Sequence, residues 1–125
     1  SILGIVAQRL IRRVCIKCRQ EYTPTDFELK ELGISRENSL GGHFFKAVGC
    51  PSCSGSGYAG RTVVHELLLI DDEIRQLIVK ASDSASVKKK AVELGMRTLR
   101  EDGVQKVMQG ITTIEELLRA IQADE

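Results

Sequence analysis

Four cysteines, arranged as two C-x-x-C pairs, are the feature that most constrains what this chain can fold into. Cys15 and Cys18 form the first pair, and Cys50 and Cys53 form the second. Thiolates at positions i and i+3 of a tight turn can point at one ion, so two such pairs supply four sulfur ligands in a tetrahedral set. Zinc suits this set best because it needs no redox partner and favours four-coordinate sites. The spacing therefore predicts a structural zinc site.

The residues around the cysteines fit a metal site. The sequence SGSG at residues 54–57 follows Cys53, and its small residues allow backbone N–H groups to turn toward the sulfurs. Arg12, Arg13 and Lys17 flank the first pair and would offset the net charge of about −2 on four thiolates around zinc. A catalytic zinc is not expected, because four protein ligands leave no open position.

Other cysteine chemistry stays open at this stage. Residues 19–49 separate the two pairs, which is longer than the roughly 15–20 residues typical of paired zinc knuckles. An iron–sulfur cluster, a thiol–disulfide redox site and a disulfide framework are therefore alternatives. The paired layout favours zinc over the cluster, and nothing in the sequence indicates export to an oxidising compartment.

Composition excludes several classes of function. The chain has 125 residues, with 18 Lys+Arg against 17 Asp+Glu, so it lacks the cationic excess of a general DNA-binding module. Aromatic residues make up only 4% and tryptophan is absent, which disfavours a platform for stacking single-stranded bases. We therefore expect no nucleic-acid partner. No apolar stretch approaches the ~20 residues that span a bilayer.

The first segment of the chain has a helical pattern. Apolar residues recur at steps of three and four, namely Leu3, Val6, Ala7, Leu10, Ile11 and Val14. This periodicity predicts an amphipathic helix over residues 2–14. Because that helix would begin almost at residue 1 without a capping residue, we expect the chain to be a piece of a longer protein.

The rest of the chain gives shorter elements. Thr25 and Glu28 form a capping-box pattern, and Gly33 follows, which predicts a helix over 26–32. Residues 34–49 indicate a loop that leads into a short strand at 43–48, and 61–67 form a second strand. From residue 72 to 122, four apolar stripes predict four short helices packed as a small bundle. The second of these helices is predicted to end at Gly95 and the third at Gly110. A second capping box, at 113–116, is predicted to begin the fourth helix.

These elements predict an α+β chain that is mainly helical, with a small four-cysteine zinc-binding subdomain and a C-terminal helical bundle. The predicted domains are a terminal helix at 1–14, the zinc subdomain at 15–60 and the helical subdomain at 61–125. His65 lies in a strand pattern and is predicted to pack or to form a hydrogen bond; neither it nor His43 has metal-ligand spacing. Residues 88–90, three lysines, are predicted to be a solvated helix face.

No catalytic constellation is visible. The chain contains no G-x-x-x-x-G-K-[ST] sequence, so it is not expected to bind a triphosphate by itself. No Ser/His/Asp or Cys/His arrangement occurs either. We therefore predict no catalytic residue in this chain.

Several separate motifs resemble one family. They are VAQRLIRRVC at 6–15, GCPSC at 49–53, GYAGRT at 57–62, HEL at 65–67, LREDG at 99–103 and QGITTIEE at 109–116. Together they span nearly the whole chain and are similar to the C-terminal region of the secretion and pilus-assembly ATPases. The type II secretion ATPases are the nearest match, and the type IV pilus assembly ATPases are the alternative.

The resemblance implies a context that the spacing argument does not reach. It implies a piece of a hexameric, cytoplasmic ATPase of RecA-like fold, peripheral to the bacterial inner membrane, that drives pseudopilus assembly and protein export. ATP and Mg²⁺ would bind mostly upstream of this chain. Neighbouring subunits, the upstream core and the inner-membrane secretion platform would be its partners. By resemblance, residues 1–14 close the ATPase core, and Arg61 is the candidate nucleotide contact.

Arg61 has an alternative role, and its surroundings depart from the family pattern. A salt bridge that anchors the strand would also explain an arginine here. Relatives often carry Thr-Gly after this arginine, whereas here Val63 follows Thr62.

Two unrelated functions are also compatible with the cysteines. The sequence CPSCSGSG at 50–57 matches the C-x-x-C-x-G-x-G repeat of J-domain co-chaperones, so a zinc-dependent chaperone or adaptor is one alternative. The first pair, however, is followed by Arg19-Gln20-Glu21 and lacks the glycines. A zinc-ribbon nucleic-acid binder is the other alternative, which the balanced charge disfavours.

Overall fold

The computed structural model describes residues 2–70 and 96–122, together with a few isolated positions between these ranges. In chain order the elements are strand β1 (Ile2–Val14), strand β2 (Gln20–Glu21), helix α1 (Asp26–Leu32), helix α2 (Arg36–Ser39), strand β3 (Phe45–Lys46), a 3₁₀ turn (Pro51–Cys53), strand β4 (Tyr58–Ile70), helix α3 (Leu99–Met108) and helix α4 (Ile114–Gln122). No helix among the described residues is both long enough and apolar enough to cross a membrane.

The predicted helix over 2–14 is wrong, because this segment is strand β1. It pairs antiparallel with β4, for example Leu10 with Val63, to form a long two-stranded ribbon. Register shifts between Ile5 and Ala7 and between Arg12 and Val14 each break the two-residue alternation of the strand. The second shift lets Ile11 and Val14, three residues apart, both be buried. A bulged strand can thus reproduce the spacing of a helix.

The α+β class is confirmed, whereas a mainly helical composition is not, since β1 and β4 are each 13 residues long. The strand predicted at 61–67 is confirmed and is longer, because it begins at Tyr58. The division into three domains stays a prediction, although β4 crosses the boundary between residues 60 and 61.

The insert between the cysteine pairs folds largely as predicted. Helix α1 has the bounds expected from its capping box: Thr25 Oγ1 accepts from Glu28 N, and a Glu28 carboxylate oxygen accepts from Thr25 N. Gly33 ends the helix with φ of 78°, a left-handed conformation that glycine adopts without strain. The short strand is confirmed as β3, which pairs with β2, and a one-turn helix, α2, lies within the predicted loop.

Two of the four C-terminal helices are confirmed, as α3 and α4. Gly110 follows α3 with φ of 77°, as its position predicted. Thr113 Oγ1 accepts from Glu116 N at 3.0 Å, which is one half of the predicted capping box. The Glu116 side chain instead accepts hydrogen bonds from two arginines. Most residues of the other two predicted helices, including Lys88 and Lys90, lie outside the described residues, whereas Lys89 is helical and exposed, as predicted.

The core lies between one face of the ribbon and the helices. Its buried members are apolar: Ile11, Leu29, Leu32, Phe44, Val64, Val104, Val107, Ile114, Leu117 and Ala120. C-terminal residues also cover both edges of the ribbon. Val14 N donates to Ile111 O on the β1 edge, and Leu67 exchanges two backbone hydrogen bonds with Arg97 on the β4 edge. C-terminal residues therefore hold the ribbon at two places, at Val14 near the cysteines and at Leu67 toward the opposite end.

Candidate metal centre

The ribbon brings the two cysteine pairs together. Cys15 directly follows β1, and the second pair lies a few residues before β4, so antiparallel pairing places both at the same end. Cys15 N donates to Gly57 O at 2.9 Å, which continues the pairing beyond the strands. In the second pair, Cys50 precedes the 3₁₀ turn and Cys53 ends it. Two separate turns thus converge on one point.

The four sulfur atoms lie close enough together to surround one metal ion. All four Sγ atoms, from Cys15, Cys18, Cys50 and Cys53, lie within 4.8 Å of one another. The Sγ–Sγ distance is 3.8 Å for Cys15–Cys50, 3.9 Å for Cys18–Cys53 and 3.8 Å for Cys50–Cys53. Sulfurs held about 2.3 Å from a tetrahedral centre are separated by about 3.8 Å. The four cysteines could therefore hold a metal ion with little movement.

Backbone N–H groups point at the sulfurs. Gly57 N donates to Cys53 Sγ at 3.1 Å and Cys50 N donates to the same sulfur at 3.2 Å. Gly49 N donates to Cys18 Sγ at 3.3 Å. Such donors stabilise thiolates, which are the form that binds metal. Of the small residues at 54–57 that were predicted to allow this approach, Gly57 makes such a contact, whereas Gly49 and Cys50 lie before them.

These surroundings shift the pKa values of three of the cysteine thiols, and not all in the same direction. Burial raises the pKa of the Cys53 thiol, but the N–H groups of Cys50 and Gly57 outweigh it and lower this pKa to about 6. At Cys18, burial dominates and raises the pKa to about 11. The backbone N–H of Lys17 lowers the pKa of Cys15. Binding of a metal would displace the protons that remain on the sulfurs.

The charge of the surrounding chain also suits a thiolate cluster. Residues 1–20 and 44–65, which contain both pairs, include seven Lys and Arg residues and no Asp or Glu. Lys17 and Arg13 are exposed beside the first pair. Arg12, also predicted to offset the thiolate charge, instead donates to Glu116 Oε1 at 3.0 Å and stacks over Tyr58 at 4.1 Å.

Two of the alternatives can be compared with this geometry. All four cysteines are free, and their sulfurs are far beyond the ~2.05 Å of a disulfide bond, so a disulfide framework does not describe this structure. An iron–sulfur cluster also takes four thiolates, and the sulfur positions alone leave it as an alternative to a single ion.

Arg61 lies outside the metal centre. Its side chain is exposed on β4, directly across the ribbon from Arg12. Within residues 2–70 and 96–122 it makes no ion pair, so the predicted salt bridge is not found there. Its contact with nucleotide stays a prediction.

Both histidines have partners outside the metal centre. The backbone N of His65, on β4, donates to Asp102 Oδ2 at 2.8 Å, and the ring Nδ1 lies 3.9 Å from the same oxygen, so the role predicted for the side chain stays a prediction. His43 Nδ1 lies 2.9 Å from Glu21 Oε2.

The sequence reasoning placed Glu116 only in a capping box and missed that its side chain connects α4 to β1. It is 1% exposed, and its carboxylate accepts from Arg12 N at 2.7 Å as well as from the guanidinium groups of Arg12 and Arg119. Burial raises the pKa of Glu116, but these bonds outweigh it and lower the pKa to about 2. Nothing in the sequence near Glu116 indicates this connection, because Arg12 is 104 residues away in the chain.

Fold and site together define a small α+β module with a candidate four-cysteine metal centre. The family model described as "Type II/IV secretion system protein" matches residues 1–119. The chain belongs to this family, which confirms the resemblance drawn from the motifs.

Similar proteins come from both secretion and pilus systems. The type IV pilus assembly ATPase PilB of Thermus thermophilus is 47% identical over 118 residues, covering 94% of this chain and 13% of that protein. The type II secretion system protein HxcR of Pseudomonas aeruginosa is 43% identical, covering 95% of this chain and 21% of that protein. The type II secretion system ATPase E of Vibrio cholerae is 38% identical, covering 95% and 23%. The chain thus spans less than a quarter of the length of these curated relatives.

Proposed function

We propose that this chain is the metal-binding, C-terminal portion of a motor ATPase that powers type II protein secretion by driving pseudopilus assembly. Family membership and the names of the relatives support the motor. The observation that carries the role of the module itself is the convergence of four Sγ atoms within 4.8 Å. In this proposal the module is structural, and ATP with Mg²⁺ binds mostly to parts of the hexameric, RecA-like protein upstream of it.

We propose zinc as the metal. The donor set contains only sulfur, the sulfur separations match a tetrahedron, and four thiolates leave no position for a substrate. When bound, a structural zinc would supply a rigid link between the two cysteine turns. Cys15, Cys18, Cys50 and Cys53 hold it, and the N–H groups directed at Cys18 and Cys53 orient these ligands.

The proposed partners follow from the motor. The upstream ATPase core and neighbouring subunits would contact this chain, and the assembly would act at the cytoplasmic face of the bacterial inner membrane, on its secretion platform. A metal bound between the turns Cys15–Cys18 and Cys50–Cys53 would keep them from separating, so this part of the chain is suited to transmitting force. Two apolar side chains next to the cysteines, Ile16 and Val48, are 75% and 58% exposed to solvent, and a partner could cover them.

The type IV pilus assembly ATPase is the second candidate, favoured by the 47% identity to PilB. Complementation separates the two. A strain that lacks the complete gene should lose secretion of its exported proteins, and the wild-type gene should restore it. Loss of pili with normal secretion would instead assign the chain to pilus assembly.

Cysteine substitution in the same strain tests the metal. Cys50→Ser removes one ligand, so it should lower both the metal content of the purified protein and the recovery of secretion. Ser52→Ala, an exposed position in the same turn, is the matched control and should behave as the wild type. Normal secretion by a Cys50→Ser protein that has lost its metal would contradict the structural role.

The proposed nucleotide contact of Arg61 needs its own test. Arg61→Ala in the complete protein should weaken ATP binding, measured by titration calorimetry. Lys30→Ala removes an exposed cation from α1, in the insert between the cysteine pairs, and should leave binding unchanged. Equal affinities for the two variants would remove the nucleotide role.

A further inference from the structure

Arg19 joins the metal centre to the C-terminal helices. It directly follows Cys18, and its guanidinium donates to Gly110 O at 2.9 Å. The same guanidinium stacks over the Phe45 ring at 4.0 Å. One side chain therefore contacts β3, in the insert, and the turn between α3 and α4.

The turn is packed closely against this arginine. Gly110 has φ of 77°, and a Cβ added there would lie 2.7 Å from the Phe45 ring and 3.0 Å from Arg19 Nη1. Only a glycine permits this approach of the turn to the stacked pair. The hydrogen bond from Arg19 to Gly110 is therefore part of a closely packed contact.

Neighbouring hydrogen bonds hold the same turn. Val14 N, next to Cys15, donates to Ile111 O at 2.9 Å, and Thr112 Oγ1 donates to Arg12 O at 2.8 Å. Residues 12–19 therefore contact three consecutive residues of the turn, 110–112. Of these contacts, only the one made by Arg19 comes from beyond the first cysteine pair, and Arg19 N donates to the backbone oxygen of the ligand Cys15 at 3.0 Å.

We propose that Arg19 is a positioning residue that couples metal occupancy to the order of the α3–α4 turn. The inference rests on metal binding, as proposed above. Metal fixes Cys15 and Cys18, which fixes the backbone of Arg19, and the guanidinium then holds Gly110. Coupling between two equilibria is reciprocal, so disturbing the turn weakens metal binding by the same factor by which metal stabilises the turn.

Hydrogen exchange measured by mass spectrometry on the complete protein tests this coupling. The reporter amides are Gly110 N, bonded to Val107 O, and Ile111 N, bonded to Lys106 O. Chelation of the wild type should speed their exchange about tenfold, the expected effect of losing one charge-assisted hydrogen bond. Arg19→Ala should show this faster exchange with metal bound and little further change on chelation. Its affinity for zinc, from competition with a chelating dye, should be weaker by a similar factor.

Two further variants make the result specific. Lys30→Ala removes an exposed cation from α1, in the insert between the cysteine pairs, and should match the wild type in both measurements. Arg19→Lys keeps a donor but cannot hold the hydrogen bond and the stacking together, so it should be intermediate and confirm that the fold survives.

The outcomes separate the two proposals. If the wild type holds metal and its chelation speeds exchange only in the cysteine turns, the coupling is wrong and the metal centre stands. The coupling is also wrong if Arg19→Ala keeps the wild-type response to chelation. If the folded wild type contains no metal, the metal centre and the coupling fail together.

Discussion

Replacing Glu116 with Gln tests the connection between α4 and the ribbon. The carboxylate is buried and accepts from Arg12 N, from the Arg12 guanidinium and from Arg119. The amide that Glu116→Gln introduces would keep one acceptor oxygen but lose the charge. The substitution therefore removes mainly the electrostatic part of the contact while the volume of the side chain stays the same.

The pKa of Glu116 sets the expected magnitude. It is lowered from 4.5 to about 2 in the folded chain. A depressed carboxyl pKa contributes stability that is present above the unfolded value and is lost as the pH falls toward the folded value. The difference corresponds to about 3 kcal/mol at pH 7 and about 1.4 kcal/mol at pH 3. Glu116→Gln should lower the free energy of unfolding accordingly, and the deficit should shrink in acid.

Urea unfolding from pH 7 to pH 3 measures this difference directly. Because acid also weakens metal binding in both proteins, the quantity to compare is the variant minus the wild type at each pH. Glu115→Gln, the exposed neighbour on the same helix, is the matched control and should differ from the wild type by less than about 0.5 kcal/mol. A deficit for Glu116→Gln that is as small as this control, or that does not change with pH, would refute the reasoning.

Two other substitutions probe the local geometry. Gly57→Ala should weaken metal binding at least tenfold, because a Cβ there would lie 2.6 Å from Ala47 Cβ and would displace the N–H bound to Cys53. Gly55 is the control: it also has a positive φ, but a Cβ there meets nothing within 4 Å. In a chelator competition, the Gly55→Ala protein should therefore bind metal more tightly than the Gly57→Ala protein. Thr25→Ala should lower the free energy of unfolding by about 1 kcal/mol through loss of the α1 cap, as measured by urea unfolding, and an unchanged midpoint would contradict the role of the cap.

The sequence predicted elements whose signals are local. The capping box at Thr25 and the left-handed glycine at Gly33 give the bounds of α1, and Gly110 gives the end of α3. Each of these works within a few residues, so a single sequence contains all that is needed. The cysteine site was predicted on the same basis, because two local turns supply its ligands.

The errors come from pairing between distant residues. Whether residues 2–14 form a helix or a strand depends on β4, whose paired residues are 44 to 68 positions away, and the two register shifts of β1 disguise its alternation. Glu116 was missed for the same reason, since its partner Arg12 is 104 residues away in the chain. The contact of Arg19 with Gly110 was missed in the same way, because the two residues are 91 positions apart in the chain.

X-ray absorption at the metal edge of the purified complete protein tests the central claim most directly. The account predicts zinc as the absorbing element, in roughly one equivalent per chain, with four sulfur neighbours at about 2.3 Å. Nitrogen or oxygen neighbours in place of sulfur, iron in a cluster, or a folded protein without bound metal would contradict it.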